Sequence, residues 1–552
     1  MISRIRRPLI VVVLLTCCLG CLALATPSRA KSQIELKDGW YYLDGHKFFL
    51  NALGYEPGAR PGEDPKLGKA PDLPLIANDL KVIKAAGFNG VRTWNQLSEA
   101  ELKLVQNSGL KIVFGIWLEP DEDFADPKVV EKDLAIIRRV LAYSHKYDCI
   151  VTYLIMNEPM PEHMHQAGGA ATRNLWSKAV DLIHELHPGV PVTISDNADI
   201  GEWVDMDIFD VHARNAYDYH DGHNFTHGFA NAMRMLDETY QQTNKPAILT
   251  EFGRSVSRAA GHPFYGGNTL QAQADALIKY YRDILDSGAT GLCPFYYADG
   301  WWKGGNPDVH DDTPEEWFGF FGYKNLQDRI GYPRPVWYAL TRYNQALVTS
   351  PKNQQFYQDE VPVEIFAQPD VKKLRVIYND NILLEAAPDA RGYYAGKLSF
   401  AGEDLKDREF IFEFYDAQGR LLKYESIVAL TGKDPIQWPT LELRSPATTL
   451  ENTAEVAMDI EVKNQSPFTL DPVLRYSFAP HHGWDSPEDH TAPLDPKQSD
   501  QTFSTTYAVP DNCVILALYA GADIRYGKFI KTLYAHKYLY RGNWADPIRV
   551  KQ

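Results

Sequence analysis

From about Gln33 to Pro351 short apolar runs alternate with stretches of helical period, and no other feature constrains the fold as tightly. The apolar runs predict strands at Phe48–Leu53, Asn89–Trp94, Lys111–Trp117, Val151–Met156, Val190–Ser195, Ile208–Asn215, Pro246–Thr250 and Gly291–Tyr297. A small hairpin at Trp40–Lys47, turning at Asp44-Gly45, precedes the first of them. Helical spacing predicts Leu75–Ala86, Ser98–Asn107, Pro127–Tyr147, Arg173–His187, His227–Thr243, Thr269–Ser287 and Pro335–Val348. Strands alternating with helices in this way imply an α/β fold, a (β/α)8 TIM barrel over residues 33–350. A doubly wound open sheet is the competing architecture. It would usually carry a glycine-rich phosphate loop after an early strand, and none follows Phe48–Leu53.

The pattern changes after Pro351. Residues 350–362 are polar and linker-like, and short strands with turn signals then run to the end of the chain. They predict two small all-β sandwich domains, over 359–438 and 439–552.

At the other end, Arg4, Arg6 and Arg7 precede an apolar run from Leu9 to Ala25, and Ser28-Arg29-Ala30 is a small-x-small cleavage site. Residues 1–30 therefore read as a signal peptide, with an uncleaved N-terminal anchor as the alternative. The mature protein is expected to be secreted or periplasmic. Losing the four arginines of that leader takes the net charge from −16 to −20. So negative a chain is a poor partner for nucleic acid or an anionic membrane, and a neutral substrate suits it better. Cys149, Cys293 and Cys513 remain, widely spaced and odd in number, which fits buried thiols rather than a disulfide scaffold or a zinc site.

In such a barrel the functional groups stand at the carboxyl ends of the strands. Arg92 and Trp94 end the second strand, Trp117 and Glu119 the third, Asn157 and Glu158 the fourth. The sixth carries His212 and Asn215 and is followed by Tyr217. Glu251 ends the seventh, and Asp299, Trp301 and Trp302 follow the eighth. Glu158 and Glu251 are 93 residues apart, three βα units of about 31, so their strands lie across the barrel from each other. A facing pair of carboxyls with aromatic walls is a sugar-cleaving set. The plainer readings are packing for Trp94 and Trp117, a satisfied barrel histidine for His212, a hydrophobic lid for Trp301 and Trp302, and rim charges for Glu119 and Asp299. The acidic stretch 308–316 does not match a calcium loop and reads as a solvated loop.

Asn157-Glu158-Pro159 after strand four, with Glu251 closing strand seven, resembles the retaining (β/α)8 glycoside hydrolases of clan A, the 4/7 superfamily. Arg92 in GVRTW is similar to that clan's strand-two arginine, and Asn215-x-Tyr217 to the strand-six Asn-x-Tyr of family 2. The segment from Phe48 to Trp94 also looks like barrels of families 2, 5 and 72. The resemblance implies that Glu251 is the nucleophile and Glu158 the acid/base. It further implies that Arg92 and Tyr217 hold Glu251, that Asn157 binds a sugar 2-hydroxyl, and that no metal or cofactor takes part. Trp94, Trp301, Trp302 and His212 complete the substrate-binding candidates. The expected activity is hydrolysis of β-linked glycans or glycosides of neutral sugars by double displacement. The alternatives are a transglycosylase using the same glutamates and a non-catalytic carbohydrate-binding protein.

Overall fold

The computed structural model describes residues 33–541 except 69, 160, 198–206, 218–232, 235, 239–242, 260–265 and 482–487. The leader at 1–30 and most of the helix expected over His227–Thr243 lie outside the described residues.

Eight parallel strands close the expected barrel: Leu50–Gly54, Gly90–Arg92, Lys111–Gly115, Ile150–Asn157, Val192–Asn197, His212–Asn215, Ala247–Phe252 and Gly291–Pro294. Each is hydrogen-bonded to the next in sequence, and the eighth to the first. Strand four is buried along Ile150–Met156, as an apolar run in a helix-covered sheet must be. Its one polar member, Thr152, points inward and meets the Tyr41 hydroxyl at 2.8 Å. Tyr41 belongs to a three-stranded antiparallel sheet, Ile34–Lys37, Trp40–Leu43 and His46–Phe48, whose apolar side chains pack with Val151, Ala213 and Ile248 of the barrel strands.

The helices outside the barrel begin where capping chemistry dictates. Asp72, Ser98, Asp126 and Thr269 each accept a backbone N–H of the first turn, and Ser98 with Glu101 forms a full capping box. Their inner faces, with Leu80, Ile83, Val105, Ile137, Trp176 and Leu277, build the main core against the strands. Among the described residues no helix is long and apolar enough to cross a membrane.

The chain departs from the expected pattern after Tyr343. The helix Pro335–Tyr343 stops there, not at Val348, and Ala346–Ser350 is a strand paired antiparallel with Glu360–Ala367. The apolar residues Ala346 to Val348 fit both periods, and Val348 packs in a β-core with Val363 and Phe412. The polar stretch that follows is no linker either. Gln355–Gln358 pairs parallel with Leu421–Gly432 as the edge of a five-stranded sheet. That sheet faces a three-stranded one containing Ala346–Ser350. A second pair of antiparallel sheets, of three and four strands, is built from Thr440–Arg444 through Phe529–Tyr540.

The first sandwich is joined to the barrel by buried charge. Glu425 accepts from Lys423 Nζ at 3.0 Å, from Arg282 Nη1 at 3.3 Å, and from the Tyr343 hydroxyl. Arg282 lies on the barrel helix Leu270–Ser287 and also donates to the Val348 carbonyl at 3.1 Å. Removing one member of such a group strands the others. Glu425→Ala is expected to cost about 3–5 kcal/mol in chemical denaturation, whereas Glu442→Ala, which breaks an exposed pair with Arg444, should leave the midpoint almost unchanged. Equal midpoints for the two variants would show that the buried group does not hold the domains together.

Candidate active site

Both candidate carboxylates stand where the ladder slips. Between strands four and five the register shifts between Leu154 and Asn157, and between strands six and seven it shifts between Leu249 and Glu251. A bulge of this kind re-aims the side chains that follow it. Glu158 itself has φ +48, a left-handed conformation costing about 1–2 kcal/mol for a residue with a Cβ. Its backbone N–H is tied to the Ser195 carbonyl at 2.8 Å, which holds that conformation.

Glu251 is 6% exposed and is met by donors from two sides. Oε1 accepts from Trp94 Nε1 at 2.6 Å and pairs with Arg92 Nη2 at 3.0 Å. Oε2 accepts from the Tyr217 hydroxyl at 2.8 Å. Arg92 is fully buried, with its guanidinium carbon 3.8 Å from the centre of the Trp94 ring. Trp94 fits because Gly115 lies behind it: a Cβ there would come within 2.3 Å of the Trp94 carbonyl oxygen.

The second carboxylate is linked to the first through amides. Arg92 Nη2 also donates to Asn157 Oδ1 at 2.5 Å. Asn215 Nδ2 lies 3.1 Å from that oxygen and 3.0 Å from Glu158 Oε1. The Thr250 hydroxyl accepts from Ser195 at 2.6 Å and faces both Asn215 Oδ1 at 2.8 Å and the Arg214 carbonyl at 2.9 Å. Burial pushes the Glu158 carboxyl up to about 7, and the charge of Glu251 adds to the shift; the Asn215 bond and Arg92 oppose it. One carboxylate thus has three donors while its neighbour has one and is reluctant to ionise. Such a difference suits one group to attack and the other to carry a proton.

The remaining candidates divide. Tyr217 packs edge-on against Phe295 and Phe318 and reaches Glu251. Trp302 is half-buried, with the ammonium groups of Lys303 and Lys66 5.2 and 5.4 Å from its ring centre. Trp301 is not an open platform. It is 5% exposed and stacks on His310 at 4.9 Å, and His310 stacks in turn on Trp317 at 3.7 Å. The stretch 308–316 is correspondingly less solvated than its composition suggests, because Glu316 is fully buried and accepts from the Asp311 backbone at 2.9 Å. His212 is corrected as well. It opens strand six, three residues before Asn215 and so roughly 10 Å down the strand. Burial lowers its imidazole to about 3, and Arg214 and Lys245 add to the effect, so it stays neutral. Asp299 is no rim charge: it is fully buried in a fork with Arg334, at 2.8 and 2.6 Å. Glu119 does stay on the rim, accepting from Trp117 Nε1 at 3.1 Å.

Glu56 was not singled out by its sequence context, although it follows strand one directly. It is half-buried and accepts from Asn95 Nδ2 at 3.2 Å, and Glu251 and Arg92 lie within electrostatic reach. The signal that marks it is its position after strand one, at the same end of the barrel as the other site residues. Among the described residues no group of three or more His, Cys, Asp or Glu side chains is placed to hold a metal ion.

No protein-family model matches the chain, and no curated protein matches it. Among solved structures it is similar to a β-glucuronidase of Parabacteroides merdae, at 11% identity over 92% of this chain and 63% of that one, TM-score 0.45. It is similar to a β-glucuronidase of Bacteroides uniformis at 11% identity over 93% and 68%, TM-score 0.45. A β-glucuronidase of Bifidobacterium dentium is 19% identical over 57% and 49%, TM-score 0.44. The chain spans less than two thirds of the length of the Parabacteroides merdae enzyme. At these identities the chemistry has to come from this chain's own residues.

Because folding raises the Glu158 carboxyl, the native state holds that proton more tightly than the unfolded chain does. Its contribution to stability is greatest below about pH 4.5 and falls as the pH rises toward about 7. Glu158→Gln removes this titration. Its Tm is expected to exceed that of wild type by several degrees more at pH 8 than at pH 5. An equal difference at both pH values would show that the carboxyl is not raised.

Proposed function

We propose that the protein is an exported retaining β-glycosidase that hydrolyses β-linked glycans or glycosides of neutral sugars. The observation that carries this reading is the unequal pair at one barrel mouth: Glu251 with three donors and the half-buried Glu158 with one donor and a raised carboxyl. Glu251 Oε2 or Oε1 attacks the anomeric carbon while Glu158 gives its proton to the departing glycosidic oxygen. The bond to the leaving group breaks and a glycosyl ester forms on Glu251. Glu158, now a carboxylate, takes a proton from water, and the resulting hydroxide equivalent displaces Glu251 and frees the sugar with its original anomeric configuration. Arg92, Trp94 and Tyr217 keep Glu251 aimed through both steps. Asn157, which bonds Arg92 and Asn215 beside the two carboxylates, binds a sugar hydroxyl next to the anomeric centre in this reading. The leader at 1–30 and the mature charge of −20 support export and an uncharged substrate.

The test is a screen of β-linked glucans, mannans, galactans and aryl β-glycosides, followed by variants on the best substrate. Glu251→Gln should abolish turnover. Glu158→Ala should lose about 10²–10⁴-fold on a sugar leaving group, the usual worth of general acid catalysis, and far less on a dinitrophenyl glycoside, which leaves unassisted. For wild type, kcat/KM should fall above about pH 7, as the free enzyme's Glu158 loses its proton. A 2-deoxy-2-fluoro glycoside should leave its sugar on Glu251, read by peptide mass. Inversion of the anomeric centre in the product, or full activity in Glu251→Gln, would sink the mechanism.

A further inference from the structure

Beside the two carboxylates the mouth holds hydrogen-bonding groups with little or nothing to bond. Glu56 receives one contact, the 3.2 Å bond from Asn95, although a carboxylate offers about four acceptor positions. The Lys303 side chain is 21% exposed, and the nearest anion, Glu315 Oε2, is 3.7 Å from its ammonium, beyond hydrogen-bond length. That ammonium instead lies 4.9 Å from the centre of the Phe295 ring. Phe295 packs edge-on against Trp94 and Tyr217, two of the three groups that bond Glu251. Tyr296 lines the same small cavity as Glu56, and its buried hydroxyl has no partner. Gly300 leaves room for that hydroxyl, since a Cβ there would come within 2.0 Å of it. Glu56 is within electrostatic reach of both Lys303 and Glu251.

One acceptor and two donors, underused and partly desolvated, stand on the nucleophile's side of the mouth. Burying such groups is costly unless a ligand completes them. We propose that Glu56, Lys303 and Tyr296 form a hydroxyl-reading subsite for the glycone ring of a neutral sugar. Glu56 accepts from adjacent ring hydroxyls, while Lys303 and Tyr296 donate. The proposal rests on the glycosidase reading above and names the substrate class of that same site. An anionic glycone fits badly, because Lys303 already has Glu315 Oε2 at 3.7 Å and Glu56 within electrostatic reach, so a ligand carboxylate would meet two like charges for one opposite charge.

The experiment is a matrix of wild type, Glu56→Ala and Glu56→Gln against the best neutral aryl β-glycoside, its 3-, 4- and 6-deoxy analogues, and the matching glycosiduronic acid. Losing a hydrogen bond to a charged group is expected to lower kcat/KM for Glu56→Ala roughly 10- to 150-fold. One deoxy analogue should cost wild type a similar factor and cost Glu56→Ala almost nothing further. Glu56→Gln, which keeps an acceptor oxygen, should recover part of the loss, and unchanged Tm values show that the fold is intact. Equal kcat/KM for wild type and Glu56→Ala overturns the subsite. So does a loss that is the same for every deoxy analogue, or a wild type that prefers the uronide to the neutral glycoside. A wild type inert toward every glycoside overturns the proposed function together with the subsite, whereas an active wild type with an indifferent Glu56 overturns the subsite alone.

Discussion

Two carboxylates crowded at one barrel mouth repel each other, and much of the surrounding structure answers that repulsion. Glu251 is given a cation, an indole N–H and a phenol. Glu158 is left with one amide and an unfavourable burial, so the proton of the pair has a preferred home. The amides of Asn157 and Asn215 span the distance between them, and Thr250 and Ser195 hold Asn215 from below. All of these come from strand ends, where a closed barrel has little freedom to move.

The strand-eight side of the mouth is made rigid by other means. Asp299 and Arg334 form a buried fork beneath it, and the Trp301, His310 and Trp317 rings stack above. The short helix that bears Trp301 also carries Trp302 and Lys303, and the Lys303 ammonium lies over Phe295 beside the site. On the opposite end of the barrel the N-terminal sheet closes the floor, and Lys47 reaches from it to Glu364 of the first sandwich at 2.6 Å. With the Glu425 group, that contact makes the first sandwich a brace for the barrel. The arrangement matches a chain in which the helix of the last βα unit runs almost directly into a β-strand.

The barrel and its two glutamates were legible in the sequence because they rest on local signals. Apolar runs of strand length, helix caps such as Ser98-x-x-Glu101, and carboxylates that end apolar strands are all visible one segment at a time. What the sequence hid depends on long-range partners. Trp301 reads as a sugar platform until His310 is seen lying on its face. Asp299 reads as a rim acid until Arg334, 35 residues later, folds onto it. His212 shares a strand with Asn215, and only the register shows that it lies below the mouth. Ala346–Ser350 was ambiguous for a different reason, since a short apolar run fits a helix end and a strand equally well until its partner is known.

The left-handed backbone at Glu158 has a consequence for stability. Glycine or asparagine would occupy that conformation with less strain than glutamate does, and neither would bring a second acid beside Glu251. A chain with no need of a carboxyl at position 158 would gain stability there by taking glycine or asparagine.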